Sequence, residues 1–294
     1  MPVNIPSLHA KLLNIARAQK IELQLLLNRL GAEQFLYRLS LSPYADRFIF
    51  KGGSLLAYLI ESDRKTKDLD FSITEMKSRM KNAVKIVRSV TGITVDDGIT
   101  WKSVEGYPLP HPEMDYPGMR ITSHFLLGKM RGVVRMDLAI GDVVEPVTMS
   151  MERMSYKGKP IFGSPFPLLV YPPETIFAEK LQTVIRKRGQ NTRMKDYYDL
   201  FKLIEHGLDV KKVKRQVKDV FENRGTPLPE RIRFVPAEHA QLQSYWERFL
   251  KREKMSSTPP GSSRSLRDSM ITWRTYGDHR FSAWVPRIRP ALRD

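Results

Sequence analysis

The chain has 294 residues, 41% of them apolar and 28% charged, with no cysteine. This is the composition of a soluble globular protein with room for one large domain or two ordinary ones, and the missing thiols exclude disulfide frameworks, Cys-based zinc sites and thiol nucleophiles. Lys and Arg number 49 against 32 acidic residues, a net charge of +17, which suits a polyanionic partner, above all nucleic acid, or else simply solvates a basic surface. No stretch approaches the ~20 apolar residues that span a bilayer, the N-terminus lacks the apolar region of a signal peptide, and no segment makes a basic amphipathic anchor. The expectation is a cytoplasmic protein with no membrane partner.

Residues 7–40 carry leucines and isoleucines at helical spacing, from Leu12, Leu13 and Ile15 to Leu36 and Leu39, and predict helix. Arg47–Lys51 reads as a short strand ended by Gly52-Gly53-Ser54, where a helix over Leu55–Ile60 begins. A polar loop, 61–67, leads into Asp68-Leu-Asp-Phe-Ser-Ile73, whose alternation predicts a strand. A helix is expected over 76–90 and strands near 93–104, 119–127 and 131–140, with a Pro/Gly-rich loop at 106–118. Beyond Pro172-Pro173 the pattern turns helical, over 174–188, 194–206, 209–223 and 237–252. The reading is an α+β domain over 1–160, a helical domain over 161–254, and a basic linker and tail over 255–294.

Asp68 and Asp70, two apart on a strand, share one face, while Leu69 and Phe71 point to the core. Paired carboxylates repel unless a cation lies between them, and oxygen ligands of this kind suit Mg²⁺; alternatively the pair belongs to an exposed polar face. Gly52-Gly53-Ser54 sits where a strand meets a helix, and the free N–H groups of that first turn make an anion site. Gly53 permits close approach and Ser54 offers a hydroxyl, although Ser54 also suits a plain helix cap. A third acid, Asp137, alternates with Val134, Met136, Leu138 and Ile140 on its strand. On a strand adjoining Asp68 and Asp70 it completes a three-carboxylate set able to hold two metals for phosphoryl transfer.

In the helical half, Lys180 falls inside the apolar stripe of Ile176, Phe177, Leu181, Val184 and Ile185. A buried ammonium needs an anionic partner, either a bound phosphate or a neighbouring acid such as Asp196, unless the lysine snorkels at the stripe's edge. Asp196 shares a face with Leu200 and Leu203 and is expected inward; Asp199 is placed nearer Lys195 and Lys202.

Phe48-Ile-Phe-Lys-Gly-Gly-Ser-Leu-Leu56 followed by Arg64-Lys-Thr-Lys-Asp-Leu-Asp-Phe71 resembles the first motif of the AbiEii/AbiGii-type toxins. These are nucleotidyltransferases of the DNA polymerase β-like superfamily, which includes the MenT toxins. Arg135–Asp142, Pro173–Leu181 and Arg193–Leu200 resemble the family's later motifs in the same order, over about residues 45–250. The resemblance implies a polymerase β-like mixed-sheet domain followed by a helical domain. It also implies a type IV toxin that transfers a nucleotide from an NTP to RNA, with the tRNA 3′ end as acceptor, opposed by an AbiEi-type antitoxin. By match, Gly53 and Ser54 would bind phosphates and Lys180 the triphosphate, and Arg64 would belong to the nucleotide-binding set. Asp68, Asp70 and Asp137 would bind Mg²⁺, or Mn²⁺ in its place, and Asp196 would support Lys180 or act near the attacking hydroxyl. Two other readings stand beside this one: transfer to a protein or small molecule, and an inactive nucleic-acid-binding module on the same fold.

Overall fold

The structure, a computed structural model, describes residues 3–60, 68–73, 80–109, 118–140, 144–229 and 234–253. Arg64 and the tail over 255–294 lie outside them. The chain divides into two compact units, the boundary in sequence falling after Tyr171.

The first unit opens with two helices, α1 (Ile5–Ala18) and α2 (Leu23–Ser40), where one helical stretch is predicted. Lys20, with φ of 52°, breaks the run: a left-handed residue ends α1, and the chain restarts at Leu23. Then follow β1 (Phe48–Lys51), α3 (Gly52–Leu59), β2 (Asp68–Ile73), α4 (Met80–Thr91), β3 (Ile99–Leu109), β4 (Gly118–Leu127) and β5 (Met130–Ile140). The unit closes with β6 (Val147–Met151), the small hairpin β7 (Ser155–Tyr156) and β8 (Lys159–Pro160), and β9 (Phe166–Val170). A seven-stranded sheet has the order β3-β4-β5-β2-β1-β9-β6. It is mixed: β2 runs parallel to β5 and β1 parallel to β9, while β1–β2, β3–β4, β4–β5 and β6–β9 are antiparallel. The fold class is α+β, as expected.

Two further features depart from the sequence reading. Strand β3 begins at Ile99, not 93, and runs on through Gly106 and Pro108 to Leu109. The second is that β9 pairs with β1 and β6 and carries the first unit past 160 to Tyr171.

Alternation sorts this sheet into two faces. Phe48, Phe50, Leu69, Phe71, Val134, Met136, Leu138, Met119 and Ile121 are buried. Phe71 is the hub of an aromatic cluster, with ring centroids 5.5 Å from Phe50, 5.6 Å from Phe48 and 6.4 Å from Phe35 of α2. Beneath α2, Arg38 is fully buried; its guanidinium bonds both oxygens of the equally buried Asp97 and the carbonyls of Ile93 and Gln34. The charge is thus fully partnered, the condition on which a buried arginine is tolerated.

The second unit contains α5 (Pro173–Lys187), a single 3₁₀ turn, α6 (Met194–His206), α7 (Val210–Asn223) and α8 (Pro236–Glu253). Met194 and Tyr198 of α6 pack on Leu242, Trp246 and Phe249 of α8. Helix α7 buries Val213, Val217, Val220 and Phe221, and its solvent side exposes Lys211, Lys212, Arg215 and Lys218. Among the described residues no helix is long and apolar enough to cross a membrane.

Candidate nucleotidyl-transfer site

The polar face of the sheet is assembled by register. Lys51 of β1 stands opposite Asp70 of β2, Asp70 opposite Asp137 of β5, and Asp137 opposite Arg120 of β4. Four charged residues thus form one row across four neighbouring strands, and Asp68 lies on the same face beside Arg135. Period-two alternation accounts for this, because the same residues that bury Phe50, Phe71, Leu138 and Met119 must turn their neighbours the other way. The three predicted acids therefore share one face of adjacent strands, about a quarter to a third of Asp137 and Asp68 being exposed (25% and 32%).

Sequence reasoning missed Arg120. Its Nε donates to Asp137 Oδ1 at 2.7 Å and its Nη2 to Asp137 Oδ2 at 2.7 Å, with Asp68 Oδ2 at 3.4 Å from the same nitrogen. The bidentate bond to Asp137, reinforced by the charges of Asp137, Asp68 and Asp70 against the opposing effect of burial, holds the Arg120 proton more firmly than usual. The signal was present in Gly118-Met-Arg-Ile-Thr122, where Arg120 and Thr122 mark the polar face of a strand whose Met119 and Ile121 are apolar. Among the described residues no three acidic or imidazole groups converge into a metal-holding cluster.

At the head of α3, Gly52 has φ of +73°, and a Cβ placed there would meet Asp70 Oδ2 at 2.1 Å. The glycine is required on both counts: the backbone is left-handed, and the Asp70 carboxylate lies against its Cα. Helix α3 begins at Gly52 rather than Leu55, so Gly53 and Ser54 lie in its first turn, and the Ser54 hydroxyl donates to the Asp68 carbonyl. That bond ties the start of α3 to the start of β2, so in this structure the Ser54 hydrogen serves the backbone, and an anion there would meet the helix's own N–H groups. Gly52→Ala combines about 1–2 kcal/mol of left-handed strain with displacement of Asp70. The expected result is a lower melting temperature together with reduced transfer; wild-type values in both measurements would refute this account of the turn.

In the second unit, Lys180 of α5 is 11% exposed and lies between two buried carboxylates of α6. Its Nζ is 3.1 Å from Asp196 Oδ1 and 2.7 Å from Asp199 Oδ2, and Arg193 Nε is 2.7 Å from Asp196 Oδ2. The anticipated Lys180–Asp196 contact is therefore present. The placement of Asp199 toward Lys195 and Lys202 is corrected: three residues apart on a helix, Asp196 and Asp199 share a face and both reach Lys180. Burial presses the Asp196 carboxyl upward, but Lys180 and Arg193 outweigh it and hold the group below the usual carboxylate range.

A family model described as nucleotidyl transferase AbiEii toxin, type IV TA system, matches residues 34–278. The chain belongs to the AbiEii nucleotidyltransferase toxin family. It is accordingly a nucleotidyltransferase and the toxin half of a toxin–antitoxin pair. Among solved structures, this AbiEii chain is similar to the JHP933 protein of Helicobacter pylori, at 17% identity and a TM-score of 0.40, over 79% of this chain and 95% of that one. It is also similar to an antigenic nucleotidyltransferase-like protein of Paracoccidioides brasiliensis, at 13% identity and a TM-score of 0.37, over 66% and 89% of the two chains. No curated protein matches.

Proposed function

We propose that this AbiEii toxin transfers a nucleoside monophosphate from an NTP to the 3′ end of tRNA, with Mg²⁺ or Mn²⁺ held by Asp68, Asp70 and Asp137. The observation that carries the reading is the row of carboxylates on one sheet face, with Asp70 set directly against the glycine turn that opens α3. The donor set fits a hard divalent cation: all three donors are carboxylate oxygens on one sheet face, and those of Asp68 and Asp137 are partly exposed. When bound, such a cation neutralises phosphate charge and positions the triphosphate for in-line displacement.

The chain's own groups do the rest. The N–H groups at the head of α3 receive a phosphate, with Gly53 allowing its close approach and Ser54 keeping the turn fastened to β2. Lys180 is assigned to the triphosphate, its ammonium oriented by Asp196 and Asp199, and Arg64 to the nucleotide. In the reaction the 3′ oxygen of the acceptor bonds to the α-phosphorus, the bond to the β-phosphate oxygen breaks, pyrophosphate leaves, and the hydroxyl proton passes to solvent.

RNA as acceptor is supported by the net charge of +17 and by the row of Lys211, Lys212, Arg215 and Lys218 along the exposed side of α7. The cognate partner is an AbiEi-type antitoxin. The test is incubation of purified protein with each α-labelled NTP and total RNA, with and without periodate oxidation of RNA 3′ ends. Label should enter tRNA only when its 3′ hydroxyl is intact. Equal labelling of oxidised tRNA, or label on protein alone, would reject the RNA acceptor while leaving the nucleotidyltransferase standing.

A further inference from the structure

Arg120 holds both oxygens of Asp137 and approaches one of Asp68. A divalent cation bridging these carboxylates needs the same oxygens, on the same side of the sheet. A guanidinium donating to both oxygens of Asp137 uses lone pairs that a cation would take and sets a second positive charge against it, so the two compete. The Arg120 side chain is 36% exposed, whereas its backbone is fixed between β3 and β5. Any yielding is therefore done by the side chain alone.

We propose that Arg120 is a built-in counter-cation for the carboxylate row, one that neutralises Asp137 and Asp68 in the metal-free toxin and surrenders Asp137 when a divalent cation arrives. Arg120 is in this sense a positioning residue: it acts through Asp137. The inference rests on the metal-binding reading above. The choice of residue fits the task. A guanidinium keeps its charge at any physiological pH and grips a carboxylate with two parallel bonds, so the row stays ordered while empty. A lysine would supply the charge but not the fork. Two consequences follow. Metal affinity is set by competition and is weaker than three carboxylates would otherwise give. Moreover, metal entry frees one positive side chain on the face where a triphosphate arrives, so cation and nucleotide bind better together than either alone.

The test is direct titration of the whole protein with Mn²⁺, followed by electron paramagnetic resonance, without nucleotide or RNA. Wild type, Arg120→Met and Arg120→Lys are compared, and the melting temperature of each is recorded with and without Mn²⁺. Removing the competing charge should tighten Mn²⁺ binding by Arg120→Met on the order of tenfold. The same variant should melt lower than wild type when metal-free and recover most of the difference in Mn²⁺. Arg120→Lys should fall between in affinity, and it carries the comparison if the methionine variant fails to fold. Unchanged or weaker Mn²⁺ binding in the variants overturns the proposal, since Arg120 would then be neutral toward the cation or would prepare Asp137 for it. If wild type itself binds no Mn²⁺, the metal reading fails, and this inference with it.

Discussion

Replacing Asp70 with alanine is expected to abolish nucleotidyl transfer while leaving the fold intact. Asp70 stands in register with Asp137 on the neighbouring strand, and its carboxylate rests on the Cα of Gly52, so it touches both the acidic row and the glycine turn. Loss of a metal ligand from a phosphoryl-transfer centre costs several kcal/mol of transition-state stabilisation, and ~4 kcal/mol is roughly a thousandfold in rate. The core should not suffer, because Leu69 and Phe71, not Asp70, face it. Removing one of three neighbouring negative charges also relieves repulsion, so the melting temperature is expected to hold or rise. Rates of label incorporation and a thermal melt decide the matter. An Asp70→Ala protein that transfers at the wild-type rate would remove Asp70 from the site.

The second large effect is on stability as well as activity. From sequence alone, Lys180→Met should fold normally and merely use NTP poorly. With Asp196 and Asp199 both buried against the ammonium, that expectation changes. Deleting the lysine charge leaves Arg193 as the cation paired with Asp196 and strips Asp199 of its 2.7 Å partner. Breaking a buried pair in this way costs about 3–5 kcal/mol. Lys180→Met is therefore expected to unfold at clearly lower urea concentration. Adding Asp199→Asn removes the buried charge that Lys180 balanced at 2.7 Å, so it should return part of the lost stability and no activity. A double variant as unstable as the single would mean that Lys180 matters through packing of its stem.

The pH dependence has a definite sign. Asp196 is held below its usual range, so its contribution is fully present at neutral pH and disappears as pH falls through that lowered value. In Lys180→Met the acid-induced loss begins at higher pH.

What the sequence disclosed, and what it hid, follows from the range of the forces involved. The strand–turn–helix around Gly52 and the strands holding Asp70 and Asp137 were legible because alternation and glycine punctuation are local signals. Strand β9 was not. Phe166-Pro-Leu-Leu-Val170 contains a proline that argues against a strand, and the structure tolerates it because β9 registers with β1 only at Val170, clear of Pro167. Strand β3 was read too early because Ile93-Thr-Val95 alternates well, whereas the chain turns there so that Asp97 can meet Arg38. That is a partnership across 59 residues which no local pattern announces. Arg120 and Asp199 were missed for a similar reason. Each looks like an ordinary charged residue until its register or its helix face is known, and only pairing with Asp137 or Lys180 gives it a role.

The order of strands in the sheet also sets a clock on the birth of the toxin. Strand β1 is among the first pieces of the sheet to leave the ribosome, yet its outer neighbour β9 comes only with Phe166–Val170, and the inner neighbour of β2 only with Met130–Ile140. At about 5–20 residues per second of synthesis, roughly 6–24 seconds separate the emergence of Lys51 from that of Val170. Within this interval β2 waits for its parallel partner β5 until Ile140 and β1 for β9 until Val170, while the charged row gains Arg120 first and Asp137 after it. The three acids cannot share one face until nearly half of the chain has been made. At the same rate about 4–17 seconds separate Lys51 from Asp137, the last residue the charged row needs.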